Sequence, residues 1–275
     1  MAEPRLLVDQ LLRPGAEVAL DERDARRIGV VLRLDVGDIV RVFNATDGEW
    51  RAHVSSRTKR GMTVHVEERL RAARATPDLD LLFAPVKRHA TDLIIEKATE
   101  LGARRIRPII TERTIAETVR IERLQAIARE AAEQTERFDA PEICDAATLP
   151  HVLDGWAPSR VLIYADERGD DERAPWGGGD GRAAPILDVV RELKLSRGDE
   201  AAPEVEARSA ASAAGGALAL LIGPEGGFTP EERRLLRAQA FVRPVSLGPR
   251  ILRAETAVIA ALSVIQAAWG DWRAA

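Results

Sequence analysis

Two glycine-rich segments near the C-terminus combine residue types that are suited to holding a ligand. They are 222–232 (IGPEGGFTPEE) and 247–257 (LGPRILRAETA). Their glycines let the backbone approach a ligand closely and present its N–H and C=O groups. Glu225, Arg253 and Glu255 add charged groups for acid–base or electrostatic chemistry. A single loop of this kind is typical of an ordinary turn, whereas two of them favour a binding site.

The elements around these segments place both at the ends of strands. Short apolar runs at 217–221 and 241–245 precede them and predict buried strands, and each segment leads into a predicted helix. Thr229, Pro230 and Glu232 form the capping-box pattern of a helix start. Two successive strand–loop–helix units predict a ligand held at the strand ends of an open α/β sheet.

Both segments resemble the signature motifs of the RsmE-type 16S rRNA uracil-N3 methyltransferases, a family of the SPOUT class. The stretches 31–38, 97–102, 108–113 and 130–137 resemble the same family, so the likeness covers most of the chain outside about 166–216. The resemblance implies an α/β fold: a C-terminal trefoil-knot (SPOUT) domain that binds S-adenosylmethionine, and a small N-terminal PUA-like β-barrel that helps to hold RNA. It also implies a homodimer whose interface completes the active site.

The resemblance also implies which residues bind the cofactor. They are Leu221, Ile222, Gly223, Pro224, Gly226, Leu247, Gly248, Ile251, Leu252, Arg253 and Thr256. Arg253, Glu255 and Glu225 are the catalytic candidates, because uracil N3 must lose a proton and an arginine stabilises the resulting anion. The residues alone leave alternatives open: Ile251 and Leu252 suit an ordinary core equally well, and Arg253 suits a structural ion pair with a glutamate. The general base is not assigned.

Basic and polar side chains are the candidates for contact with 16S rRNA of the small ribosomal subunit. They are Arg26, Arg27, Arg33, Arg51, Lys87, Arg88, Gln134 and Arg137. The last four match family positions near the presumed RNA face. Gln134 and Arg137 are expected on one face of a long helix over 117–138. A solvated charged surface is an equally good interpretation of all of these residues.

Composition sets bounds on these hypotheses. The chain has 275 residues, 45% of them hydrophobic, with a net charge of −4, which gives room for two modest domains. It lacks an 18-residue apolar run and a signal-like N-terminus, and it has one cysteine and four histidines without metal-ligand spacing. These features predict a metal-free, cytoplasmic protein without a membrane partner. Dinucleotide and P-loop fingerprints are also absent, which argues against dehydrogenases and P-loop kinases.

The chain is expected to divide into a β domain over 1–75, with RNA-binding function, and the methyltransferase domain over 78–275. In the first, strands are predicted at 39–44, 50–55 and 62–67, and a helix at 24–34 is expected to turn Ile28, Val31 and Leu32 inward. In the second, alternating strand and helix signals predict a parallel sheet. These domain boundaries follow the composition of the linker around 72–78.

The segment 166–216 interrupts the alternation of strands and helices. Residues 166–210 hold 12 acidic and 7 basic residues, so the rest of the chain is close to neutral and compatible with an RNA partner. Apart from a possible short helix over 185–195, the composition predicts a flexible surface insertion.

Two alternatives to the methyltransferase function remain at this stage. One is a non-catalytic RNA-binding or ribosome-assembly protein on the same fold, and the other is a methyltransferase of the same class that acts on another RNA. The intact glycine loops favour cofactor binding over its loss.

Overall fold

The structure is a computed structural model that describes residues 3–58, 61–115, 119–166, 183–196 and 217–273. Contacts between residues divide the chain into two compact units. One contains residues 1–75 together with 129–140, and the other contains 76–128 and 141–275. The segment 129–140, which the sequence placed in the second domain, thus packs with the first unit.

The first unit is built on a five-stranded mixed sheet. Its strands are β1 (Arg5–Leu7), β2 (Glu17–Ala19), β3 (Ile39–Asn44), β4 (Gly48–Thr58) and β5 (Gly61–Arg71), in the order β1-β3-β4-β5-β2. β1 runs parallel to β3 and the other pairs are antiparallel. Alternate residues of β3, β4 and β5 point into one apolar core. The three predicted strands are confirmed.

A short helix, α1 (Glu22–Arg26), continues into a π-helical turn over Arg27–Val31. The wider turn is closed by the Leu32 N–H, which donates to the Arg27 carbonyl at 2.9 Å. Ile28 is buried as predicted, but Val31 and Leu32 are 70% and 41% exposed. Their inward placement was wrong, because a π turn shifts the side chains away from the 3.6-residue period on which that prediction rested.

The second unit contains a parallel sheet. Its strands are β6 (Leu79–Phe83), β7 (Arg105–Ile110), β8 (Glu142–Ile143), β9 (Ala147–Thr148), β10 (Val161–Ala165), β11 (Ala184–Pro185), β12 (Leu218–Ile222) and β13 (Val242–Ser246). The order is β11-β13-β10-β12-β6-β7-β8, and β9 pairs with β7. Every pair in this sheet is parallel. The predicted parallel α/β sheet is therefore confirmed.

Helices cover both faces of this sheet. They are α2 (Arg88–Glu100), α3 (Ile121–Gln134), α4 (Leu149–Asp154), α5 (Ile186–Leu195), α6 (Pro230–Arg237) and α7 (Ala254–Ala268). Residues of α2, α5 and α7 share one apolar core with the sheet, and residues of α4 and α6 share the other. Because successive strand residues point to opposite faces, Leu81 belongs to the first core and Leu82 to the second.

The helix predicted over 117–138 is shorter in the structure. α3 ends at Gln134, and Glu136 adopts a positive φ of 62°, a conformation that commonly terminates helices. Gln134 and Arg137 therefore do not share a helical face, and that expectation was wrong. The start of the prediction, 117–118, lies outside the described residues.

Part of the predicted insertion belongs to the folded unit. β11 pairs with β13 at the edge of the sheet, and α5 buries Ile186, Val189 and Val190 in the core that also contains α7. The short helix over 185–195 is confirmed by α5. The interpretation of the whole of 166–216 as surface insertion fails for this part, because an amphipathic helix can bury its apolar face within an otherwise polar stretch. Residues 167–182 and 197–216 lie outside the described chain.

Candidate ligand-binding site

Both glycine-rich loops leave the same edge of the parallel sheet. The first follows β12 and the second follows β13, and these strands flank β10: Tyr164 lies beside Leu221 on one side and Pro244 on the other. Neighbouring strands lie about 4.8 Å apart, so the loops start roughly 10 Å from each other. Both motifs thus lie at the carboxyl ends of the strands, the edge at which open α/β sheets bind ligands.

The first loop is a tight turn that begins from a buried strand. The side chains of Leu221 and Ile222 are buried in opposite cores, and the Ile222 carbonyl accepts the Ala84 N–H at 2.9 Å. A turn follows, in which the Gly227 N–H donates to the buried Pro224 carbonyl at 2.8 Å. The exposed residues of the loop, Glu225 and Gly226, form its tip.

Internal packing explains why position 223 is a glycine. A Cβ atom at this position would lie 2.6 Å from the ring of Phe228. That ring is buried and packs edge-on against Tyr164 with the ring centroids 5.1 Å apart. A substitution at Gly223 would therefore disturb internal packing before it disturbed any ligand.

Glu232 fixes the start of α6 below the first loop. Its carboxylate accepts the Thr229 N–H at 2.9 Å while the Thr229 hydroxyl accepts the Glu232 N–H, which is the predicted capping box. The same buried carboxylate also accepts the Glu112 N–H at 2.9 Å. Next to it, Arg113 donates to the Gly226 carbonyl at 2.8 Å. Glu112 and Arg113 were missed as site residues, although the 108–113 motif contains both.

Asp166 holds α6 from the other side. This residue directly follows β10, is 4% exposed, and accepts hydrogen bonds from Arg233 at 3.1 Å and from Arg237 at 2.7 Å. Burial opposes the charge of Arg233, but the hydrogen bond and the charge of Asp166, together with Tyr164, outweigh burial and raise the pKa of the guanidinium. The two arginines lie one helical turn apart. Asp166 was missed because it stands at the edge of the acidic stretch in the sequence.

The second loop is more open than the first. Gly248 has a φ of +108°, and nothing lies within 4 Å of the point where a Cβ would stand. Ile251 is 49% exposed, which argues against the core alternative, whereas Leu247 and Leu252 pack against the core and are partly buried. Across the described chain, the backbone groups of Leu247, Ile251 and Leu252 make no hydrogen bond, so they are available to a ligand.

The charged candidates lie at the start of α7 and at the tip of the first loop. Arg253 is the N-cap residue of α7, is exposed, and caps nothing with its side chain. Among the residues that the structure describes, it forms no ion pair with Glu225 or Glu255, so the structural alternative for Arg253 finds no support. Glu255 lies in the first turn of α7, where the helix dipole favours a negative charge. Thr256 is exposed in the same turn.

Five of the proposed RNA contacts are exposed in the structure. They are Arg26, Arg33, Lys87, Arg88 and Gln134. Arg33 has a positive φ of 59° and follows the exposed Val31 and Leu32. Lys87 and Arg88 begin α2. Arg51 is partly exposed, with its Nε 3.8 Å from a carboxylate oxygen of Glu67.

The other two RNA candidates are engaged within the first unit. Arg27 forms an ion pair with Glu133, whose side chain is 1% exposed. Burial raises the pKa of Glu133, and the bond from Arg27 opposes this rise. The side chain of Arg137 is 9% exposed and donates to Asp139 at 3.1 Å and 3.2 Å. These contacts give both arginines a role in the fold.

Two further features of the described residues bear on possible ligands. They contain no group of three or more histidine, cysteine or acidic side chains placed to hold a metal ion. Nor does any of their helices have the length and apolar character needed to cross a membrane.

Comparison with known proteins gives consistent matches over nearly the whole chain. A family model described as an RNA methyltransferase domain matches residues 74–180 and 186–266, and one described as an RNA methyltransferase PUA domain matches 20–67. Ribosomal RNA small subunit methyltransferase E of Rickettsia conorii is 31% identical over 263 residues, which is 95% of this chain and 94% of the relative. The protein of the same name from Synechocystis is 31% identical over 92% of this chain and 73% of its own length.

Two similar solved structures contain S-adenosylmethionine. One is a putative methyltransferase from Legionella pneumophila, with a TM-score of 0.75 and 29% identity over 98% of this chain and 100% of that one. The other is ribosomal RNA small subunit methyltransferase E from Neisseria gonorrhoeae, with the same TM-score and coverage and 25% identity.

Proposed function

Since the chain belongs to the RNA methyltransferase family, of the ribosomal RNA small subunit methyltransferase E type with a SPOUT fold and a PUA-like domain, we propose that it methylates N3 of a uridine in 16S rRNA. The methyl donor is S-adenosylmethionine. The names of the relatives support the donor and the ribosomal RNA, and the resemblance of the two glycine loops supports the N3 position. By the same resemblance, the protein acts as a homodimer in the cytoplasm.

One observation carries this proposal: the second loop presents unbonded backbone groups beside a half-exposed apolar side chain, Ile251. Adenine needs an apolar contact for its faces and backbone partners for its edge. Leu247, Ile251 and Leu252 supply both, and the first loop leaves the same edge of the sheet two strands away. When bound, S-adenosylmethionine supplies an electrophilic methyl group on a sulfonium.

The protein's own contribution to methyl transfer is alignment and electrostatics. The hydrogen bonds of Glu232 and Asp166 to their partners hold α6 in place, which fixes one side of the proposed site. Arg253 is exposed at the N-cap of α7 and stabilises the negative charge that develops on the uracil ring as N3 loses its proton. Glu225 and Glu255 are the carboxylates available to accept that proton, directly or through a water.

The test combines product mapping with one pair of variants. Purified protein, S-adenosylmethionine and 16S rRNA should give 3-methyluridine, detected by mass spectrometry of the digested RNA. We expect Arg253→Ala to lower kcat about 10²–10³-fold and to weaken the affinity for S-adenosylmethionine much less. Arg250→Ala is the matched control, because Arg250 is an exposed arginine of the same loop. A methyl group on another base or atom would contradict the N3 assignment, and equal losses of binding and rate would contradict the role of Arg253.

A further inference from the structure

A cavity of about 300 Å³ opens in the second unit, at the end of the sheet opposite the glycine loops. It lies where β6 and β7 begin, at the paired residues Asp80 and Arg105. Its wall includes Leu82 from the sheet, Val152 from α4 and Trp156 from the loop after α4. We call it the arginine cavity, because Arg105, Arg107 and Arg160 all line it.

Two of these arginines occupy positions where the sheet would ordinarily place apolar residues. Arg105, Arg107 and Ile109 alternate along β7, so their side chains share one face. Ile109 is fully buried in the core covered by α4 and α6. Parallel sheets with both faces covered are typically apolar throughout. The two arginines therefore replace the continuation of this core with positive charge.

The hydrogen bonds of these arginines show which of them can still bind a ligand. Arg160 is nearly buried and donates to Asp78 at 2.8 Å and to the Leu218 carbonyl at 3.0 Å, so it is part of the framework. Arg105 lies 3.2 Å from a carboxylate oxygen of Asp80. Arg107 donates only to the Asp145 carbonyl, at 3.1 Å, among the described residues. A guanidinium has five donors, so most donors of Arg107 remain open.

The local charge also favours an anion. The lining contains three arginines against one carboxylate, Asp80. With the surrounding Arg104, Asp78, Glu142 and Asp145 included, the wider neighbourhood is neutral, so the positive excess belongs to the lining itself. Trp156 stiffens the wall, because its Nε1–H donates to the Arg160 carbonyl at 2.8 Å and its ring stacks on Phe241.

We infer that the arginine cavity binds a phosphate group, with Arg107 and Arg105 as its main donors. Paired guanidinium donors match the geometry of phosphate oxygens. The cavity is at the lower end of the range of small-ligand sites, roughly 300–1,000 Å³, which fits a phosphate with one attached nucleoside. The phosphate comes either from the RNA backbone or from free phosphate in solution.

The RNA source rests on the proposed function. Five residue steps of about 3.3 Å separate Arg105 from Ile110, so the cavity lies roughly 17 Å along the strands from the edge that carries the glycine loops. A few nucleotides of RNA cover such a distance, so a phosphate that flanks the reactive uridine can reach the arginine cavity. A phosphodiester held there positions the strand without reading its sequence.

The binding test uses inorganic phosphate and the indole signals of the full-length protein. The Trp156 Nε1–H signal, assigned with Trp156→Phe, should shift saturably in a two-dimensional N–H NMR titration, and chloride at equal ionic strength should not shift it. Arg107→Gln should abolish the shift. Arg243→Gln is the matched control, because Arg243 is an exposed arginine that donates to backbone carbonyls and does not line the cavity.

The second arm separates the two sources of phosphate. A several-fold rise in KM for 16S rRNA in Arg107→Gln, with unchanged kcat and S-adenosylmethionine affinity, identifies RNA as the source. A saturable phosphate shift without a change in KM identifies free phosphate. A wild-type signal that does not move, or that moves equally in Arg107→Gln, overturns the inference. Methylation by the wild-type protein tests the proposed function separately from all three outcomes.

Discussion

Gly248→Ala is the sharpest test of the second glycine loop. The wild-type φ of +108° is strained for a residue with a Cβ, while the space around that Cβ is open. Holding alanine in such a conformation costs about 1–3 kcal/mol. Because no atom lies within 4 Å of the added Cβ, the loop without bound cofactor can relax and avoid this cost. If the bound loop needs the original φ, the same cost reappears on binding and weakens the affinity for S-adenosylmethionine about 5- to 150-fold.

Gly37→Ala is the matched control for this perturbation. Gly37 lies in the first unit with a φ of +93° and equally open space. Both variants should unfold at temperatures close to that of the wild type, and only Gly248→Ala should weaken binding measured by isothermal titration calorimetry. Unchanged affinity in Gly248→Ala, or equal weakening in Gly37→Ala, would refute the assignment. Gly223 is unsuitable for this purpose, because the ring of Phe228 fills the space that a side chain would need.

The remaining predictions concern the acidic stretch, the first unit and RNA binding. Replacing 197–216 with a short Gly/Ser linker should leave thermal stability and methylation intact, whereas a deletion that also removes 184–196 should destabilise the protein in calorimetry, since it removes buried side chains of α5. Burial opposes the charge of Glu49, but hydrogen bonds from Arg5 and Arg71 outweigh burial and lower the pKa of this carboxyl. The charged Glu49 therefore stabilises the fold above the pKa of the unfolded state, and this stabilisation is lost as the pH falls through the pKa of the folded state. Glu49→Gln should flatten the acid limb of the stability–pH curve. Arg33→Glu should raise the KM for 16S rRNA, most strongly at low salt, without changing S-adenosylmethionine affinity; an unchanged KM would remove Arg33 from the RNA surface.

Local patterns predicted most of the elements that build the site. Apolar runs and the Thr229–Glu232 capping box act over a few residues, so the sequence shows them directly. The hydrogen bonds that hold the site together join distant positions. Arg237 donates to Asp166, and the Glu112 N–H donates to Glu232, at separations of 71 and 120 residues. Neither periodicity nor spacing in the sequence predicts such pairs, because only the folded sheet brings them together.

The errors in the sequence predictions have the same origin. A π turn changed the face on which Val31 lies, and nothing in the local composition distinguishes that turn from an α-helix. The polar composition around α5 gives no sign of its three buried residues, because their burial depends on packing with α7, which lies far along the chain.

The packing of residues 129–140 with the first unit has a consequence for synthesis on the ribosome. Asp24 is 1% exposed in the folded chain and accepts a hydrogen bond from Arg129, so this contact cannot form within residues 1–75 alone. At about 5–20 residues per second, the 65 residues from 76 to 140 take roughly 3–13 s to translate. During that interval the first β-sheet emerges before its companion segment, so the order of translation and the order of folding differ. The N-terminal unit reaches its final form only after half of the protein has been made.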